Sequence, residues 1–176
     1  MKKLFSIVFL IAFTVSCSCN ETLTVFTLNE QEKTIVPYKL NDTVQWVDNK
    51  NATYKGIVND VIDRYSEDKT DCDRVKFNDL LHYIEFDNFK YLITISKSNI
   101  IRLGIHEYAN DKSTKYFTGN PNDFATVEFN GETYENAILL KQSVLDDMPF
   151  GHLVFSKKNG IEFILFKDGT WYKRVE

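Results

Sequence analysis

Three dipeptides near the end of the chain, Asn130-Gly131, Asn159-Gly160 and Asp168-Gly169, constrain the fold more than any other feature. Asn-Gly and Asp-Gly between alternating apolar runs are the strongest short-range hairpin signal. A type I′ turn needs positive φ at both central residues, which Gly adopts without steric cost and Asn tolerates. Residues 126–135 alternate around the first turn, and 152–156, 161–167 and 170–175 flank the other two. Together they predict an antiparallel meander.

Upstream, residues 24–28, 43–47, 81–86, 91–95 and 100–105 are β-branched or aromatic runs separated by polar turns. Residues 34–40 read as another strand, confined to a sheet edge by Pro37, which cannot donate to a ladder. In 90–96, Tyr91, Ile93 and Ile95 fall on one face and Lys90, Leu92, Thr94 and Ser96 on the other. Residues 57–65 are ambiguous. Ile57, Val58, Val61, Ile62 and Tyr65 have helical spacing, while their β-branching and Gly56 favour a strand. Residues 142–148 read as a helical turn or a loop stopped by Pro149. The fold expected is all-β and antiparallel, with about nine to eleven strands and at most one short helix. It would be a sandwich or a lipocalin-like partly closed barrel.

The first residues have a different composition. Lys2 and Lys3 precede an apolar run from Leu4 to Val15, followed by Ser16-Cys17-Ser18-Cys19-Asn20. A basic start, a short apolar core and small residues make an export signal, and the run is shorter than the roughly 20 residues of a spanning helix. Thr14-Val15-Ser16-Cys17 resembles a bacterial lipobox, with Thr14 where Leu is preferred. On this reading residues 1–16 are removed, Cys17 carries a diacylglyceryl thioether and fatty-acyl chains, 17–22 form a tether, and 23–176 form one domain. One acyl chain holds a protein only marginally, so two or three are needed. The alternative is cleavage before Cys19, which would release a soluble secreted protein.

The cysteines are Cys17, Cys19 and Cys72. With Cys17 lipidated, Cys19 and Cys72 are left in an oxidising compartment and form a candidate disulfide. The other reading is a free Cys72 thiol, blunted by its neighbours Asp71 and Asp73. Removing residues 1–16 takes away Lys2 and Lys3, so the formal charge of −4 becomes −4 − 2 = −6. A mildly acidic chain without a basic cluster does not suit nucleic acid.

His82, His106 and His152 lack the i, i+4 or H-x-H spacing of a metal site. Gly-x-Ser-x-Gly and a phosphate-binding Gly-rich loop are absent from the sequence. No catalytic residue, metal or cofactor is assigned. The dense aromatics suit a β-sheet core, with Trp46 and Trp171 as candidates for partial exposure. Asp42-Thr43-Val44 resembles a short bacterial O-glycosylation acceptor, which makes Thr43 a candidate modification site.

The last third resembles uncharacterised bacterial envelope lipoproteins. Their pattern runs Asn-Gly-Lys-x-Tyr-x-Asn-Val, then Tyr-Ser-Lys-x-x-Gly-Ile, then Asp-Gly-x-Trp. Here it reads Asn130-Gly131-Glu132-Thr133-Tyr134-Glu135-Asn136-Ala137, Phe155-Ser156-Lys157-Lys158-Asn159-Gly160-Ile161 and Asp168-Gly169-Thr170-Trp171. Glu132, Ala137 and Phe155 depart from it. The resemblance implies an antiparallel β fold and a lipid anchor, with no catalytic residues to carry over. The functional expectation is a non-enzymatic binding or structural protein of the bacterial envelope, at the outer membrane on its periplasmic face or surface. Its partners would be the membrane, through the lipid, and another envelope protein. A carrier or sensor of an apolar ligand is the second expectation, and a hydrolase of glycans or lipids the third.

Overall fold

The computed structural model describes residues 22–69, 73–109, 112–141 and 151–175. Among them are twelve strands: β1 (Thr22–Phe26), β2 (Thr43–Asp48), β3 (Thr53–Lys69), β4 (Asp73–Glu85), β5 (Lys90–Lys97), β6 (Ile101–Ala109), β7 (Lys112–Gly119), β8 (Ala125–Phe129), β9 (Glu132–Lys141), β10 (His152–Ser156), β11 (Gly160–Leu165) and β12 (Trp171–Val175). One helical turn, α1 (Glu30–Lys33), and a 3-10 turn at Pro121–Asp123 are added. Asn29 caps α1 through the amide of Glu32, whose side chain reaches back to the Asn29 amide.

Strands β2 to β7 form one antiparallel meander and β8 to β12 another. β12 pairs with β2, so both join in one sheet ordered β7-β6-β5-β4-β3-β2-β12-β11-β10-β9-β8. Because the outermost strands β7 and β8 are consecutive in the chain, the sheet curls toward itself as a partly closed barrel. At the seam Gly119 of β7 packs on β9, where a Cβ would lie 2.3 Å from Leu140 Cδ2.

The inner face is apolar. Val44, Trp46, Val58, Ile84, Tyr91, Ile93, Ile95, Leu103, Ile105, Phe117, Leu153 and Phe155 share one continuous core. Tyr91, Ile93 and Ile95 turn inward as their alternation predicts. Residues 57–65 belong to the seventeen-residue strand β3, with a bulge between Val58 and Asp60 that absorbs the broken alternation.

Four expectations are corrected. Residues 34–40 are not an edge strand. They follow α1 into the barrel as irregular chain, burying Ile35, Val36 and Tyr38. Pro37 breaks the ladder, and the apolar residues gain more from the core than from a sheet edge. Trp46 is fully enclosed, 1% exposed, while Trp171 is half-buried. Among the three X-Gly turns, only Asn130-Gly131 has positive φ at both residues, 51° and 81°. Gly160 and Gly169 alone turn left-handed in theirs, the pattern of a type I turn closed by a glycine bulge. Finally, β1 pairs with β4 in parallel, Thr22 opposite Asp73 and Phe26 opposite Phe77, within an otherwise antiparallel sheet.

The hairpin β8–β9 does not simply extend the sheet. Asn136, at φ 48°, bends β9, and its carbonyl accepts from the Lys157 amide. The hairpin therefore folds over the outer face of β10 to β12, placing Phe129 5.6 Å from Phe163 and 5.8 Å from His152. Phe163, Val154 and Ala137 are buried beneath it, and Glu132 pairs with Lys173.

The inserted segment 34–40 is locked at two places. The Ile161 amide donates to the Tyr38 hydroxyl at 2.7 Å. On β4, His82 is 3% exposed, hydrogen-bonded to the Tyr38 main chain, and its Nδ1 has no partner among the described residues. Burial lowers the His82 pKa from 6.5 to about 4. Below pH 6.5 the unfolded chain takes a proton that the folded chain refuses. The stabilisation is therefore complete above pH 6.5 and is lost as pH falls to about 4. The loss should approach roughly 3 kcal/mol. Urea unfolding of His82→Leu should be flatter across that window than the parent; an unchanged slope would mean His82 is hydrated in the fold.

Candidate functional site

β2, β4, β6 and β11 all run toward the same end of the barrel, which we term the mouth. There the turns after Asp48, Glu85 and Leu165 lie close together. Alternation brings Trp46 and Asp48 inward from β2, Tyr54 from β3, Phe86 and Phe89 from the turn after β4, Tyr91 from β5, Glu107 from β6 and Tyr172 from β12. Trp46 stacks on Phe86 at 4.7 Å, Phe86 on Phe89 at 4.7 Å, and Phe89 on Tyr172 at 5.8 Å. Tyr91 meets Trp46 and Phe89 edge-on, and Tyr54 meets Tyr172 the same way. Gly56 permits this stack: a Cβ there would sit 2.5 Å from the Phe86 ring.

Tyrosine hydroxyls and carboxylates are set into this aromatic floor. Tyr91 donates to Glu107, and both are buried. Asp48 accepts from the amides of Lys50 and Ala52, each at 2.8 Å, and from the Tyr54 hydroxyl at 3.0 Å. Burial would raise the Asp48 pKa, but those three donors outweigh it and hold the carboxyl below its usual value. Burial and then Glu107 push Tyr91 far above the usual phenol value. Tyr172 is raised by burial and by the charge of Glu107, Asp48 and Asp168 around it, with Tyr54 also contributing. Tyr54 is raised first by its bond to Asp48. All these shifts run away from neutrality. The tyrosines stay protonated donors and Asp48 stays ionised, so the network holds hydrogen bonds rather than moving protons near pH 7.

Beside this floor, at the β4–β5 turn and sharing Phe86 and Phe89 with it, opens a cleft of about 440 Å³ lined also by Glu85, Asp87, Asn88, Lys90 and Tyr108. The Lys90 ammonium lies 5.9 Å from the centre of the Tyr108 ring. Acidic, basic and aromatic groups thus converge at one rim. Trp46, at the centre of the floor, has an indole N–H without a partner among the described residues. A second, smaller cleft of about 190 Å³ lies at the opposite end, lined by Pro37, Tyr38, Asp42, Thr43, Lys158, Asn159 and Arg174.

Of the residues singled out from sequence, Thr43 is exposed at the start of β2 and lies on the rim of that second cleft. Cys17, Cys19 and Cys72 lie outside the described residues, as do positions 142–148. Among the described residues no group of three His, Cys, Asp or Glu side chains is placed to hold a metal ion. No helix among them is long and apolar enough to cross a membrane. The mouth cluster escaped sequence reading because its members come from five strands and a turn. Each reads singly as an ordinary inward-facing strand residue. Comparison with protein-family models, curated proteins and solved structures found no match.

Proposed function

We propose that this chain is a lipid-anchored protein of the bacterial envelope, held at the outer membrane by Cys17, that binds a protein partner and is not an enzyme. The open cleft at the mouth carries this reading. Half-buried Phe89 and Tyr108, Lys90 over a ring, and the acids Glu85 and Asp87 form the mixture of aromatic anchors and charged rim found in binding hot spots. The adjoining floor, which shares Phe86 and Phe89 with the cleft, is preorganised by stacked rings and hydrogen bonds, which suits recognition. Ile35, Val36 and Tyr38 occupy the barrel interior, where an apolar carrier would keep its cargo. The second expectation therefore has less support.

The long axis of the molecule agrees with this reading. β1 starts opposite Asp73, at the first residue of β4, and the mouth cleft begins at Glu85, the last. Thirteen residues of strand at about 3.3 Å each separate anchor and cleft by roughly 40 Å. A photo-crosslinking amino acid at exposed Asn88 should capture one reproducible envelope protein, whereas the same probe at Lys158 should not. Lys90→Glu should lower that capture about tenfold. A scattered set of captured proteins, or the same set from both positions, would contradict the proposal.

A further inference from the structure

The distal halves of β3 and β4 extend beyond the barrel as a ribbon, with β1 added along one side in the lane that β5 vacates after Lys97. Residues opposite each other in a ladder point to the same side of the sheet. Leu23 lies opposite Arg74, Val25 opposite Lys76, Lys76 opposite Glu67, Arg74 opposite Lys69, and Asn78 opposite Tyr65. One face of the ribbon therefore carries Leu23, Val25, Tyr65, Lys69, Arg74, Lys76 and Glu67. The 3.0 Å hydrogen bond between the Thr27 and Tyr65 hydroxyls ties β1 to β3 on that side.

The two faces differ in chemistry. On the first, Leu23, Val25 and Tyr65 are 54, 50 and 52% exposed, although each is apolar or aromatic. Its basic residues outnumber its single acid, Glu67, which bridges Arg74 at 2.7 Å and Lys76 at 3.6 Å. The opposite face carries the acids Asp68 and Asp73 with Thr22 and Thr24, and its apolar residues Phe26, Val75 and Phe77 are half-buried rather than exposed. Exposed aliphatics beside tyrosine and Lys/Arg are the composition that settles at a bilayer interface.

We propose that this Leu23–Val25–Tyr65 face rests on the lipid headgroup region of the membrane that holds the anchor. The inference builds on the lipid-anchored reading above. The length of chain between anchor and domain makes the membrane the occupant. Five residue steps separate Cys17 from Thr22, and at most about 3.6 Å per step allows roughly 18 Å. That tether reaches the ribbon at the strand bearing the exposed aliphatics. The basic side chains then lie at headgroup phosphates, and the face bearing Asp68 and Asp73 turns to water.

The test uses the mature protein in vesicles of phosphatidylethanolamine and phosphatidylglycerol doped with a diazirine-bearing phospholipid. After illumination, adducts are mapped by peptide mass spectrometry. They should concentrate on residues 22–26 and Tyr65 and be sparse at residues 86–90. Leu23→Ser with Val25→Ser, both at exposed positions, should lower labelling of this face at least about threefold, with thermal unfolding unchanged. Labelling that favours the mouth, or is uniform, would overturn the inference. So would capture of a protein by this face in native envelopes. The intact mass separates the two claims. Lipid on Cys17 with labelling elsewhere overturns the docking face alone, whereas an unlipidated chain overturns the anchored reading with it.

Discussion

Gly160→Ala is expected to cost the domain about 3–8 kcal/mol, enough to leave it largely unfolded at moderate temperature. Three effects add. Gly160 sits at φ +77°, where an L side chain costs roughly 1–2 kcal/mol. A Cβ there would lie 2.2 Å from the Tyr38 ring and hydroxyl, so the inserted segment must move, at about 1–3 kcal/mol. Moving Tyr38 strips the buried Ile161 amide of its acceptor, at about 1–3 kcal/mol more. Gly169→Ala isolates the first effect, since Gly169 has φ +83° and open space around its Cβ position. Urea denaturation of both variants should show Gly169→Ala within about 2 kcal/mol of the parent and Gly160→Ala well below it. Equal midpoints would mean that Tyr38 does not occupy the space over Gly160.

The second large effect is expected at Trp46. Trp46→Ala should destabilise by about 3–5 kcal/mol, because the ring is fully enclosed and contacts Phe86, Tyr91 and Tyr172 at 4.7, 5.3 and 6.2 Å. It also removes the support of the Phe86–Phe89 stack, so the mouth cleft should lose its shape before the barrel unfolds. Trp46→Phe should cost less than about 1.5 kcal/mol, since it keeps a ring and discards an indole N–H that has no acceptor among the described residues. Thermal unfolding and near-ultraviolet circular dichroism check both. A Trp46→Phe variant as damaged as Trp46→Ala would show that the N–H is bonded, to water or to a ligand.

The strand positions were legible because turn chemistry and alternation are local. Asn130-Gly131 places its hairpin by backbone sterics alone, and Tyr91, Ile93 and Ile95 face inward as their spacing requires. The fate of 34–40 was not legible. Its β-branched residues suit a strand and a buried plug equally, and only the space inside a barrel of this size decides between them. Trp46 misled for a related reason: a residue near a strand end is enclosed only when the turns after β2, β4 and β11 gather over it. The parallel pairing of β1 was hidden as well, because a five-residue strand carries no mark of its partner's direction. The mouth cluster joins Asp48, Tyr54, Tyr91, Glu107 and Tyr172 across up to 124 positions of chain, from Asp48 to Tyr172. No spacing rule connects them. By contrast the lipobox-like residues 14–17 are contiguous, and sequence alone carries that part of the account.

On the lipid-anchored reading proposed above, the anchor decides which end of β4 lies nearest the tether and which end presents the cleft. The intact mass and N-terminal peptide of protein purified from its native membrane test it most directly. The account predicts a chain beginning at Cys17 that bears a diacylglyceryl thioether and an amide-linked acyl chain. A chain that retains Met1, or begins unmodified at Ser18, Cys19 or Asn20, would contradict it.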